Sequence, residues 1–256
     1  MSSEIAFPMY NLYRPDSEAL IHAMQELLAA RGIAVTPVWP QEELLAHWQS
    51  DSLLLSQACG YPLVTRLPEV QTVGCFHYTA PGCEGIRYRS LLVVRQSDRD
   101  KTLADFRSSR AVCNAPDSHS GYNVFMQMVA PLARSGTFFR EVTFSGSHRQ
   151  SLVAIGEGRA DIAAIDCVTF ALLQRHAPRL ISELAVIGAS PAVPGLPLIT
   201  ARNTPPSRIA LLRDALRQLV SDPAYRTLCA ALLICGFSDV SRQDYALILS
   251  GDYPHP

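Results

Sequence analysis

Residues 145–166 read SGSHRQSLVAIGEGRADIAAID. A turn of small residues opens a helix, Gly158 is placed to end it, and RADIAAID follows as an apolar strand closing on Asp166. With FREVTFSG before it as a strand, the stretch is strand–helix–strand, the repeating piece of an α/β fold.

The same alternation runs outward in both directions. Upstream, RAVCN is a strand and SGYNVFMQMVAPLA a helix; downstream, CVTFALLQRHAP is a further helix. In the first part of the chain, EIAFPMY is a strand and PDSEALIHAMQELLAARG a helix. That helix carries Leu20, Met24, Leu27 and Leu28 on one face, Asp16 or Ser17 as cap and Gly32 as stop. IAVTPVWP is a strand, QEELLAHWQS a short helix, and SLLLSQACGYPLV a buried strand running into a loop at Gly60-Tyr61-Pro62. VQTVGCFHYT and YRSLLVVRQ are two more strands. A Pro-broken extended passage, LAVIGASPAVPGLPLIT, precedes two helical segments, PSRIALLRDALRQLVSDP and AYRTLCAALLICGF. The expected fold class is α/β: two lobes with doubly wound, largely parallel sheets. The first comprises residues 1–95 with 185–256, and the second, 96–184, is inserted.

Composition narrows the function. The 256 residues are 48% hydrophobic and carry a net charge of −1, with Lys101 the only lysine. No basic stripe speaks for nucleic acid, and no apolar run is long enough to insert in a bilayer. Seven cysteines without CxxC spacing read as buried reduced thiols. With an N-terminus lacking the pattern of a signal peptide, they point to the cytoplasm, or to the periplasm had a leader been removed.

Enzyme signatures are scarce. No G-x-S-x-G elbow, P-loop or H-E-x-x-H occurs, and nothing activates Cys59 or Cys113 as a nucleophile. Glu43 and His47 read as a solvated helix face. His119 and His148 have no further ligands of convincing spacing, so no metal or cofactor is expected.

What remains is a repeated device. NAPDSHSGY places Ser118, Ser120, Gly121 and Tyr122 at one strand-to-helix junction, and SGSH places Ser147 and His148 at another. Helix N-termini carry unpaired N–H donors and partial positive charge, which hold anions. Each serine has the alternative of simply capping its helix. Asp166 either accepts from a ligand amine or caps the next helix. Tyr61 and Tyr88 either reach a ligand or pack.

These pieces, with CGYPLV, YRSLLVVRQSD and PGLPLITARNTP, resemble the phosphonate/phosphite/phosphate substrate-binding proteins of ABC transporters, a type 2 periplasmic-binding-protein fold. The resemblance runs from about Ile5 to Phe237 and is most specific in the quoted stretch. It implies two lobes joined by crossovers near Arg89–Arg95 and Val186–Ile199, closing on a small anionic or zwitterionic ligand, with an ABC transporter permease as partner. It also implies that Ser118, Ser120, Gly121 and His148 touch the ligand oxygens, with first-lobe tyrosines matched by Tyr61 and Tyr88. An enzyme or a ligand-sensing domain on the same fold is the alternative.

Overall fold

The structure, a computed structural model, describes residues 3–40, 44–133 and 136–250. Glu43 lies outside them. The chain divides into two compact units. One comprises the described residues up to Thr79, Glu84–Arg87 and Pro194–Ser250; the other comprises Ala80–Cys83 and Tyr88–Val193.

In chain order the strands are β1 Ser3–Ala6, β2 Val35–Pro37, β3 Leu53–Gln57, β4 Gln71–Tyr78, β5 Arg87–Tyr88, β6 Ser90–Arg95 and β7 Arg110–Cys113. They continue with β8 Glu141–Phe144, β9 Ile162–Asp166, β10 Leu184–Ala189, β11 Val193–Pro194, β12 Pro197–Thr200 and β13 Ile234–Ser238. The first unit holds a sheet in the order β13-β4-β12-β3-β1-β2, and the second a separate sheet in the order β10-β6-β9-β7-β8. β5 and β11 pair with each other, and the chain passes from one unit to the other within each of them.

Both sheets are mixed rather than largely parallel. β1–β2, β1–β3, β7–β8 and β7–β9 are parallel. β12 runs antiparallel to β3 and β4, β13 to β4, and β6 to β9 and β10. β6 and β12 are the strands that follow a crossing, and each runs antiparallel to both of its neighbours. Apart from the short excursion at Ala80–Cys83, the crossings fall at 87/88 and 193/194, so β6 and β10 belong to the second unit's sheet. The sequence reading placed 89–95 and 186–199 as the crossovers because a Val- and Leu-rich run looks the same in either sheet.

Local chemistry accounts for the elements and for three departures from expectation. β3 is buried along its whole length: Leu53–Leu55 are the apolar run a central strand requires, and the buried Ser56 and Gln57 meet His47 (3.1 Å) and Tyr78 (3.0 Å). The helix Arg14–Ala29 buries Leu20, Met24, Leu27 and Leu28 as its periodicity requires. It starts one turn before the expected caps: Tyr13 takes the N-cap position and Pro15 enters the first turn, where its missing N–H is not needed. Pro62 is tolerated for the same reason in Gly60–Thr65, which is a helix rather than a loop. ICGF is a strand, not the end of a helix. Leu233 has left-handed φ (61°), which stops the helix Arg226–Ala231 and turns Ile234–Ser238 into the edge of the sheet beside β4. That edge leaves Cys235 exposed, and Cys83 is only half-buried, so the cysteines are not uniformly core residues. The Cys113 thiol, at the end of β7, is buried and pushed up to about 12 by desolvation, which keeps it an unreactive thiol.

At the amino end of the second unit's sheet, Asp161 gathers the chain. It accepts from the Arg110 backbone N–H (2.9 Å) and guanidinium (2.8 Å) and from Arg95 (2.9 Å). The hydrogen bonds from Arg110 hold its carboxyl well below the usual carboxylate range. Asp161, the first of the two acidic residues in the RADIAAID run, is therefore a brace of the sheet's amino end, leaving the carboxyl end for chemistry.

Candidate ligand-binding site

At the carboxyl ends of β7 and β8, the Ser145 N–H donates to Cys113 O (2.9 Å) and the Gly146 N–H to Asn114 O (2.9 Å). These bonds extend the ladder past both strands and hold the two hydroxyl-rich turns side by side. The first turn continues as a wide π turn over His119–Asn123, in which the Asn123 N–H reaches Ser118 O (3.0 Å), before the helix Val124–Val129. Such widened turns concentrate at functional sites because they displace side chains from regular helical directions. The second turn enters the helix His148–Gly156.

The two turns meet through side chains. Ser120 Oγ and His148 Nε2 are 3.0 Å apart. A Cβ placed on Gly121 would overlap Asn114 Oδ1 and stand 3.0 Å from His148 Cε1, so glycine is what lets these groups converge. His148 is half-buried as a residue, yet its Nδ1 is shut away from solvent with no hydrogen-bond partner among the described residues. The same holds for Asn114 Oδ1. Burial lowers the His148 pKa to about 4, so the ring is neutral at pH 7. Whichever of Ser120 and His148 donates across the 3.0 Å contact, the neutral pair retains one donor proton: Nδ1–H in one case, the Ser120 hydroxyl hydrogen in the other.

The serines combine the two roles that the sequence left open. Ser118 Oγ accepts from the Gly121 N–H (3.1 Å), and Ser147 Oγ accepts from the Gln150 N–H (3.2 Å). Both are helix caps, and an accepting hydroxyl still has its own hydrogen to give. Ser145, which the sequence reading passed over, hydrogen-bonds Ser151 Oγ (2.8 Å) and Ser147 O (2.9 Å), bracing the second turn from beneath. Asn114 was also missed, although it lies inside the quoted NAPDSHSGY. An asparagine after a strand has too many ordinary turn roles to stand out.

The remaining candidates do not join this cluster as expected. Asp166 is buried, and its Oδ1 accepts from the N–H groups of Val168 (2.8 Å) and Thr169 (3.0 Å), capping the helix Cys167–His176. That is the capping reading. Replacing Asp166 with Ala should lower stability by about 1–2 kcal/mol, while Asn, which caps nearly as well, should leave it close to unchanged in thermal unfolding. Tyr122 packs edge-on against Phe144 at 5.3 Å and lies against the second unit's core. Tyr61 is half-buried against the core of the first unit. Tyr88 is 3% exposed and belongs to the second unit rather than the first. His119 is buried, and among the described residues no group of three or more His, Cys, Asp or Glu is placed to hold a metal ion.

Residues 79–245 match the family described as ABC transporter, phosphonate, periplasmic substrate-binding protein. The chain belongs to this family. Its fold is that of the type 2 periplasmic binding proteins. PhnD1 from Prochlorococcus marinus, in complex with methylphosphonate, superposes with a TM-score of 0.79 at 12% identity over 97% of this chain and 96% of its own. A binding protein component of an ABC phosphonate transporter from Pseudomonas aeruginosa superposes at 0.76 with 18% identity, covering 96% of this chain and 84% of that one. XAC2383 from Xanthomonas citri, bound to ATP, does so at 0.75 with 16% identity over 98% and 97%. Comparison with curated protein sequences found no match. No helix among the described residues is long and apolar enough to cross a membrane.

Proposed function

We propose that this substrate-binding protein takes a small phosphonate-type oxyanion at the paired turns of its second unit, without catalysis, and passes it to a transporter permease in the periplasm. Ser118, Ser120, Ser147 and His148 supply the side-chain donors. The observation that carries this reading is the Ser120–His148 contact, which joins two helix entrances around a glycine with room for no side chain. Neutral donors and helix N-termini replace the water shell of an oxyanion without burying a counter-charge, which would itself need desolvation.

The test is calorimetric titration with methylphosphonate, aminoethylphosphonate and inorganic phosphate. His148→Ala should weaken the best ligand by about 1–3 kcal/mol, the range for losing a hydrogen bond to a charged group. Unchanged affinity would remove His148 from the site. Because Asp166 is engaged as a cap, the amine-bearing and amine-free phosphonates should bind alike. A preference for the amine that disappears in Asp166→Asn would restore the carboxylate as a ligand contact. With its ring neutral above about pH 4, His148 should impose no loss of affinity between pH 6 and 8.

A further inference from the structure

Two cysteines 84 positions apart meet in the second unit. Cys83 Sγ and Cys167 Sγ are 3.5 Å apart. Cys83 ends a tight turn, its N–H donating to Ala80 O (3.0 Å). In that turn Gly82 has φ +100°, and a Cβ there would stand 3.3 Å from Cys167 Cβ and 3.4 Å from its Sγ. The backbone of the turn is therefore pressed against Cys167. Cys167 itself is held from the other side: it opens the helix capped by Asp166, and its N–H donates to Arg89 O (3.0 Å). Cys167 is 1% exposed, whereas Cys83 is only half-buried and so is the member of the pair nearer solvent.

We infer that Cys83 and Cys167 are a site of disulfide formation that ties the Ala80–Cys83 turn to the start of the helix Cys167–His176. A disulfide sulfur pair is about 2.0 Å apart, so closing the bond asks the sulfurs to approach by about 1.5 Å, within reach of rotation about χ1. The oxidant is a small disulfide such as oxidised glutathione. The Cys83 thiolate attacks one sulfur of that disulfide, releasing the first thiol and leaving a mixed disulfide on Cys83. The Cys167 thiolate then attacks Cys83 Sγ, forming the protein disulfide and releasing the second thiol. The two protein protons end on the two released thiols, and the small disulfide is reduced as the protein is oxidised. Such chemistry is sustained in an oxidising compartment such as the periplasm of this family.

The turn Ala80–Cys83 is an excursion, since the residues on either side of it belong to the first unit. A bond at Cys83 fixes that excursion to the second unit and closes a long loop, which stabilises chiefly by restricting the unfolded chain.

The experiment uses the full chain carrying Cys235→Ser, which removes the exposed thiol as a source of cross-linking between molecules. The protein is incubated with oxidised glutathione, its remaining thiols are alkylated, and peptides are mapped without reduction. The expected result is a linked peptide pair containing Cys83 and Cys167, with a melting temperature about 5–15 °C higher than the reduced form. The increment should be abolished by dithiothreitol and absent in Cys83→Ser. Peptide mapping of the otherwise natural chain decides the matter even where a Cys167 variant fails to fold. Recovery of Cys83 as a glutathione adduct with Cys167 alkylated, or of both alkylated, would overturn the inference.

Discussion

Replacing Gly121 with alanine is expected to abolish high-affinity oxyanion binding and to lower the melting temperature by several degrees. The backbone at 121 lies in a helical turn that any residue can adopt, so the entire penalty is steric. The new methyl group would overlap Asn114 Oδ1, sit 2.7 Å from Asn114 Cγ and press on His148 Cε1 at 3.0 Å. The Asn114 backbone is tied by the ladder beyond β7 and its buried Oδ1 has little room to turn aside, while His148 is held by Ser120. Overpacking of this kind destabilises by about 1–3 kcal/mol, and a site displaced by an ångström loses much more binding than stability. Titration with methylphosphonate should show at least a tenfold loss. The double variant Asn114→Ala, Gly121→Ala removes the overlapping amide and should recover stability relative to Gly121→Ala alone, a non-additivity expected of groups in contact. A Gly121→Ala protein with the affinity of the natural chain would show that the convergence of the two turns is unconnected with the ligand.

How much of this was readable beforehand depends on the range of the interactions involved. The helix Arg14–Ala29 and the buried run of β3 follow from periods of 3.6 and from continuous apolarity, both local. Strand direction is not local. LLVVR in β6 carries no mark of which sheet it joins or which way it runs; that is decided by β9 and β10, more than sixty residues away. ICGF failed for another reason. Nothing in the type of Leu233 announces a left-handed φ, and the helix-like pattern of AYRTLCAALL simply overran the stop.

The candidate site was legible as two turns and illegible as one cluster. Ser118, Ser120, Gly121, Ser147 and His148 all belong to small-residue strand-to-helix junctions, which the sequence displays. What it does not display is that Asn114 O receives the Gly146 N–H, aligning the junctions, or that Ser145 and Ser151 support the second. Asp166 and Tyr122 share the same neighbourhoods in sequence. Their side chains are drawn elsewhere, one by the N–H groups of a helix that follows it and the other by Phe144 and the apolar core.

Acidification from pH 6.5 to pH 4 should destabilise the second unit, with His119 and His148 both contributing. His119 is 1% exposed, and desolvation lowers its pKa from 6.5 to about 4. In the unfolded chain the ring binds a proton below about pH 6.5; in the folded chain it does so only below about pH 4. Between those values the unfolded state holds the extra proton, so stability rises with pH across the window. The contribution is complete above pH 6.5, falls away as the pH drops towards 4, and changes no further below it. A shift of this size corresponds to about 3 kcal/mol. Desolvation lowers the His148 pKa to about 4 as well, so its titration adds to the loss over the same window. Asp161 belongs to a different window. Its carboxyl is held low by Arg110, so its contribution is present above about pH 4 and lost only as the pH falls towards its depressed folded value. Hydrogen exchange of the β7 and β9 amides, followed from pH 7 to pH 4, should therefore show protection falling in natural protein. In His119→Asn, which removes one of the second unit's two shifted titrations, the slope should be shallower over the same range. His47 and His77, whose pKa values are lowered by burial in the first unit, remain in both proteins and cancel in the comparison. Equal slopes in the two proteins would mean that the His119 ring is solvated in solution and that the turn around Ser118 and Ser120 opens far more readily than its packing implies.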